Sequence, residues 1–578
     1  MAAKRSGERG ASRGTADKAA RGAPVKAGRG GGTSPDAEAG SPPAGGGAKA
    51  RDAKTRASAE RGGGAAPASK GAPKPRGKRA GLSSATPAAP ATREAGWALA
   101  ALGVVLAVAC LRLAVNAAGW VPIHFDEAQY WAYGQELAWG YFSKPPLVAA
   151  LIRLATDLGG DTLFALRAGA VVAHAVVALA LYALGRKLFD PATGFWAAVA
   201  YTAAPGVSVS AMVMSTDPVM MAFWALALVA WIRAAESGRD RDWALTGALV
   251  GLGALAKYTM LALPAGMLGY ALFSARGRDW RGAGIAAGAG LVVLAPNLWW
   301  NATNGFATVT HVAEDADPGE GYGNIGAFLE FFGSQFGVIG PIVFLAILAA
   351  FWRRRDWAGD WRMRLLAWQA GTLLFAMLAL AYATRAQPNW AAPAYVAGSL
   401  LAARFLLASG FGRLLRWHAG IGVVAAGAVY ARAALYAAEG EGLARGPDPF
   451  KKMRLSEPFC DRALPVMGEM GAEVLLADNR RRLSECMFLG GLGWDEVAVW
   501  NPDRVENHHE MVASLRPGDR RAMLLATLDD DGAAMAARFE EAELVDEGRF
   551  ATHRDRSFGY ELWWVKGFRG YPDDGGRG

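Results

Sequence analysis

Between Trp97 and Tyr436 the chain returns repeatedly to apolar runs of about twenty residues, the length a helix needs to cross a hydrocarbon layer. The runs are rich in Ala, Gly, Leu and Val and lack sustained alternation of apolar and polar residues. A membrane barrel needs that alternation, so the runs read as helices. They fall near 96–116, 163–185, 193–213, 218–235, 243–256, 259–274, 281–300, 326–352, 363–383, 391–408 and 417–437, about eleven in all.

Charge orients these helices. Residues 1–93 hold 19 Lys and Arg against 6 Asp and Glu, so this segment carries +13 of a formal +9 and the rest of the chain is −4. With almost no large apolar residues, the segment is expected to be a disordered tail. Its charge suits anionic lipid headgroups better than a specific nucleic acid. If the tail is cytoplasmic, the loops GRKLFD at 185, ESGRDRDW at 236, SARGRDWR at 274, RRRDWAGDWRMR at 353 and GFGRLLRWH at 410 also come out cytoplasmic. All carry Lys or Arg, as the positive-inside rule requires. The loops 120–162, 214–217, 300–325 and 384–390 then face outward, as does the region after Glu439. The run 97–115 reads as a retained signal anchor.

This orientation makes the outward charges informative. The first outer loop contains HFDEAQYWAYGQELAWGYFSKPPL at 124–147. Asp126 and Glu127 open a short helix there, with Asp126 a natural N-cap and Gln129 its capping-box partner. Tyr130, Trp131, Tyr133 and Trp139 suit a membrane interface. Asp217 recurs at the outer end of another helix, where Pro218 makes a cap an equally simple reading. Lys144, Arg153, Arg167, Lys257 and Arg385 also lie at or near outer helix ends. Arg153 and Arg167 fit snorkelling to headgroups as well as ligand binding. Lys257 is the one charge in GLGALAKYTMLALP, and a lone ionisable residue between apolar runs is costly. Carboxylates in a partly desolvated site are able to deprotonate a hydroxyl or amine, and cations to hold a phosphate as it leaves. No Walker loop, HExxH or serine-hydrolase elbow is present.

At this point the chain resembles glycosyltransferase family 39, which contains the dolichyl-phosphate-mannose–protein mannosyltransferases. It is similar too to the bacterial lipid A aminoarabinose transferases of the same type C membrane fold. The resemblance rests on the Asp-Glu pair, Lys-Pro-Pro-Leu at 144–147, Arg167, GRKLF, STDP at 215–218, GLGALAKYTMLALP, APNLWWNATNGFATVTH at 295–311, FFGSQFGVIGP at 331–341 and QPNWAAPAY at 387–395, in order across about 96–410. It implies transfer of a sugar from a polyprenyl-phosphate donor to a lipid, glycan or protein acceptor at the outer face of a bacterial inner membrane, with inversion. Asp126 matches the proposed base, Glu127 its companion and Asp217 the second acid. Lys144, Lys257 and Arg385 are the candidates for donor phosphate. Where the aminoarabinose transferases have an acidic residue before the lysine, this chain has Ser143, so no required metal or other cofactor is expected.

Tyr130, Arg167, His311, Asn389 and Trp390 are further candidates for substrate contact. His311 sits near Glu314, Asp315 and Asp317, a spacing that fits a solvated acidic loop as well as metal ligation. His174 reads as a packing histidine, and His508 and His509 as surface. The expected domains are a tail at 1–93, a transmembrane domain at 94–438 and an extracytoplasmic α/β domain at 439–578 with strands in VLLAD, EVAVWNP, RRAMLLATL and YELWWVKGF and a helix in AAMAARFEEAEL. Cys460 and Cys486 are able to pair if that domain lies outside. A transporter or flippase of a lipid-linked or anionic solute is the competing reading. The outward clustering of charge and the lack of a clear internal repeat argue against it.

Overall fold

A computed structural model of the chain describes residues 91–310, 323–504, 507–528 and 531–571. The tail expected at 1–93 lies outside the described residues up to position 90. The first part is helical: α1 (Ala91–Ala117), α2 (Phe125–Gln135), α3 (Leu147–Gly159), α4 (Leu163–Leu188), α5 (Pro191–Thr202), α6 (Pro205–Ser210), α7 (Thr216–Ser237), α8 (Asp240–Ala256), α9 (Ala262–Phe273) and α10 (Trp280–Thr303). After the next described residues come α11 (Ile325–Val338), α12 (Pro341–Trp352), α13 (Trp361–Ala383), α14 (Ala394–Ala408) and α15 (Arg413–Glu439).

Among the described residues, six helices are long and apolar enough to span a membrane, and α11 with α12 makes a seventh if that bent pair is one span. The remaining apolar runs are divided or short, and the reasons are local. The run 193–213 breaks at Pro205, which cannot donate to the helix ladder. The run 326–352 bends by 117° at Gly340–Pro341. Gly340 has φ 88°, a conformation that favours glycine, and a Cβ there would lie 2.8 Å from the His418 ring. The runs 243–256 and 259–274 part at Lys257, whose backbone is extended (φ −159°, ψ 130°).

Beyond Glu439 the chain forms α16 (Ser456–Glu469), α17 (Arg480–Gly490) and a five-stranded sheet of β1 (Val474–Ala477), β2 (Val497–Val499), β3 (Met523–Leu528), β4 (Phe539–His553) and β5 (Arg556–Phe568). The strand order is β2-β1-β3-β5-β4. The wholly buried β1 pairs in parallel with β2 and β3, while β5 runs antiparallel to β3 and β4. All four expected strands are present. The helix expected in AAMAARFEEAEL is limited to Gly532–Ala536, and FEEAEL begins the edge strand β4. Pairing with β5 across a tight turn after His553 overrides its helical composition. Glutamates on its exposed positions suit a sheet edge.

Two devices brace this region. Cys460 and Cys486 form a disulfide that joins α16 to α17, with their Cα atoms 5.3 Å apart. Asp448 is fully buried and accepts hydrogen bonds from Arg454 (2.6 Å) and His553 (3.1 Å), so it ties the segment after α15 to the β4–β5 hairpin.

Candidate active site

The N-cap of α2 is His124, not Asp126. The imidazole of His124 accepts from the Asp126 N–H (3.1 Å), and Glu127 reaches back to accept from the His124 N–H (3.0 Å). This reciprocal cap leaves the Asp126 carboxylate without capping duty. Its side chain is 39% exposed.

Glu127 is the opposite case, with 0% exposure. Its Oε1 accepts from Arg167 Nε (2.9 Å) and the Met214 N–H (2.7 Å), and its Oε2 from Arg167 Nη2 (2.7 Å) as well as His124. Arg167 is 1% exposed and also donates to the carbonyls of Val121 and Pro122, both at 2.8 Å. Neither group is able to reach a substrate. Glu127, expected as the companion of Asp126 in the chemistry, is instead enclosed by donors, and Arg167 neither snorkels nor faces a ligand. Together they form a buried, bidentate strut. Through Met214 it fixes α2 against the start of α7, the helix that carries Asp217.

Asp217 is also no cap. Its side chain is 8% exposed; Oδ1 accepts from Lys257 Nζ (2.7 Å) and Oδ2 from Asn389 Nδ2 (2.8 Å). Three separate sequence candidates thus converge from α7, the α8–α9 break and the Pro388–Ala391 turn. The break explains how: a continuous helix would carry Lys257 along its own axis, whereas the extended residue turns it into the site. Lys257 remains 23% exposed.

Tyr130 lies one turn beyond Asp126 on α2 and is buried. Burial holds its hydroxyl well above the ordinary tyrosine range, and the negative charges of Asp126 and Asp217 add to that. Tyr130 therefore sits in the field of both acids. Asp217, Asn389 and Ser215 line a cavity of about 480 Å³ that also takes in His174 and Tyr201. His174 is satisfied as expected, with Tyr201 Oη at 2.8 Å and Ser210 Oγ at 3.1 Å.

Lys144 is half-buried in the loop after α2, and its carbonyl accepts from the Tyr141 N–H (3.1 Å). Arg385 is exposed and makes no ion pair among the described residues, so it is not brought to Asp217. Trp390 is half-buried beside Asn389 but does not line the cavity. His311, with Glu314, Asp315 and Asp317, lies outside the described residues. Among the described residues, no three His, Cys, Asp or Glu side chains converge as metal ligands.

Several supporting residues escaped the sequence reading. Tyr258 donates to Asn297 Oδ1 (2.7 Å), and Asn297 donates to the Trp139 carbonyl (2.7 Å). Thr308 donates to the Tyr141 carbonyl (2.6 Å). The APNLWWNATNGFAT stretch at 295–308 thereby holds the first loop. The available signal was two asparagines, Asn297 and Asn301, inside an apolar helix, where an amide needs a partner.

The C-terminal region packs directly on α2. Trp494 donates to the Ala132 carbonyl (3.0 Å), Phe488 meets Trp131 edge-on (5.4 Å) and Arg481 lies over the Phe125 ring (5.1 Å). His508 is buried, not surface, and stands edge-on to Tyr133 (4.4 Å), which stacks on Tyr141 (4.4 Å). Burial lowers the His508 pKa to about 4 and that of its equally buried neighbour His509 to about 3.

The family description dolichyl-phosphate-mannose-protein mannosyltransferase matches residues 143–300. The chain is 32% identical over 371 residues to the lipid A galacturonosyltransferase RgtD of Rhizobium johnstonii, an alignment covering 63% of this chain and 76% of that protein. The chain belongs to this family of membrane glycosyltransferases. It is also 32% identical over 203 residues to the undecaprenyl phosphate-alpha-4-amino-4-deoxy-L-arabinose arabinosyl transferase of Pseudomonas aeruginosa, covering 31% of this chain and 35% of that one. The crystal structure of ArnT from Cupriavidus metallidurans bound to undecaprenyl phosphate superposes with a TM-score of 0.56 at 16% identity, over 82% of this chain and 98% of that one. Its apo form gives 0.55. At this identity the likeness shows the fold, the type C membrane architecture.

Proposed function

We propose that this glycosyltransferase moves a sugar from a polyprenyl-phosphate donor to a glycolipid acceptor of the lipid A class, on the outer face of the bacterial inner membrane. The observation that carries the site assignment is the convergence of Asp217, Lys257 and Asn389, with Asp217 and Asn389 lining the cavity and Tyr130 of α2 in the field of both Asp126 and Asp217. The names of the relatives supply the substrate classes. The Cys460–Cys486 bridge supports an extracytoplasmic C-terminal region, since disulfides persist in oxidising compartments. The basic loops support a cytoplasmic N-terminal tail.

In this reading the acceptor hydroxyl attacks the anomeric carbon as the bond from that carbon to phosphate oxygen breaks. Asp126 takes the hydroxyl proton, for which its exposed carboxylate is free of capping duty. Polyprenyl phosphate leaves with the bonding electrons, and Lys257 and Lys144 balance its growing charge. Asp217 and Asn389 hold Lys257 in place before the donor arrives, so little reorganisation is needed during reaction. The test is transfer of radiolabelled sugar from undecaprenyl-phosphate glycosides to lipid A by the purified protein. Asp126→Asn should slow transfer by roughly a hundredfold or more and leave membrane insertion intact. Normal transfer by that variant sinks the base assignment, and transbilayer movement without transfer sinks the enzyme reading.

A further inference from the structure

At the other end of the spans, the loop between α12 and α13 borders a groove remote from the transfer chemistry. The 23 residues of α13 separate this loop from the Asn389 turn by about 34 Å of helix. A groove of about 680 Å³ opens between α12 and α13, walled by Phe351, Trp357, Trp368 and Phe375. The Trp357 indole donates to the Ala350 carbonyl (2.9 Å), which holds its ring as one wall. Gly371 forms the floor, where a Cβ would come within 3.3 Å of both the Phe351 and Phe375 rings.

Arg354, Arg355 and Arg364 also line this groove. The neighbouring arginines are already committed, Arg353 to Asp356 (2.7 Å) and Arg362 to Asp360 (2.8 Å). Among the described residues Arg354, Arg355 and Arg364 make no ion pair, and the Nε of Arg364 is buried without a hydrogen-bond partner. A free phosphate would answer the arginines and leave the aromatic slot bare. A neutral lipid chain would fill the slot and leave the charges of Arg354, Arg355 and Arg364 without a counter-ion.

We propose that this groove binds one anionic glycerophospholipid of the surrounding leaflet, with an acyl chain in the aromatic slot and the phosphate against Arg354, Arg355 and Arg364. The full-length protein in detergent is titrated with dioleoyl phosphatidylglycerol or dioleoyl phosphatidylcholine and read by native mass spectrometry. Phosphatidylglycerol should bind tightly at one site and phosphatidylcholine weakly. The double variant Arg354→Gln/Arg355→Gln should weaken phosphatidylglycerol about thirtyfold, the loss of two arginine–headgroup attractions, and weaken zwitterionic phosphatidylcholine much less. Both residues are exposed, so the fold should tolerate the change. Gly371→Leu fills the slot from beneath, keeps every arginine and should abolish the site. Equal affinity for the two lipids overturns the proposal. So does undiminished phosphatidylglycerol binding by either variant, each checked for a wild-type melting curve.

Discussion

Asp126 and Glu127 are adjacent in sequence and should behave oppositely when neutralised. Glu127→Gln leaves Arg167 charged at 1% exposure and turns an amide N–H toward a site built from donors: Arg167, His124 N–H and Met214 N–H. Breaking a buried ion pair by removing one charge costs about 3–5 kcal/mol, most of it from the charge left behind. Two of the four bonds to Glu127 come from groups outside the pair, so the damage should spread to the α2 entry and to the start of α7. Asp126→Asn removes a carboxylate that is 39% exposed and accepts no described capping bond, so stability should stay within about 0.5 kcal/mol. Losing the general base should slow transfer roughly a hundred- to ten-thousandfold. Denaturant unfolding followed by tryptophan fluorescence, run beside the transfer assay, separates the two. A Glu127→Gln enzyme that is inactive yet as stable as wild type would make Glu127 a chemical participant and refute the strut. An Asp126→Asn enzyme that unfolds early would make Asp126 structural.

Lys257→Met should cut turnover by roughly a hundred- to a thousandfold, the scale of losing one preorganised charge stabiliser, with a smaller change in KM for the donor. Steady-state kinetics with undecaprenyl-phosphate sugar checks this. Cys460→Ser opens a link between residues 26 apart and should destabilise the C-terminal region by about 3 kcal/mol, measured by protease susceptibility without reductant. Glu485 is buried, and burial raises its pKa to about 7. The folded state therefore holds an extra proton between the ordinary carboxylate value and about 7, and stability falls as pH rises through that window. Glu485→Gln should remove this limb and gain roughly 3 kcal/mol at pH 8 but little at pH 4. The depressed pKa values of His508 and His509 work in the other direction: the unfolded chain takes up protons first as pH drops below about 6.5. The variant should keep that acid limb, and melting curves across pH show whether it does.

Much of the architecture was readable because membrane helices announce themselves in composition. Six of the expected spans are helices of spanning length, and the four strands past Glu439 are where their β-branched and aromatic residues put them. The candidates Asp217, Lys257 and Asn389 were readable one at a time, as polar residues placed where polarity is expensive. Their meeting was not, since the bonds join residues 40 and 172 positions apart. The same distance hid the role of Glu127, whose partners lie 40 and 87 residues away. Local rules assigned the cap to Asp126 because aspartate is a good cap. The chain uses His124 instead, and only the fixed position of Glu127 makes that choice work.

This exchange of roles bears directly on catalysis. A base next to a membrane must be held in place and yet stay reachable by an acceptor. One carboxylate cannot easily do both, because the hydrogen bonds that fix it also consume its lone pairs. Here the requirements are divided between neighbours on one helical turn. Glu127 spends both oxygens on Arg167, His124 and Met214 and so orients the first turn of α2. Asp126 inherits that orientation through the backbone and keeps its own oxygens available. The division predicts an asymmetry in rescue. Restoring the strut with the exchanged pair Glu127→Arg/Arg167→Glu should fail, because the Met214 and His124 N–H groups would then face a cation. Recovery of transfer by the exchanged pair would show that the charge pair alone orients the helix and that the backbone donors are incidental.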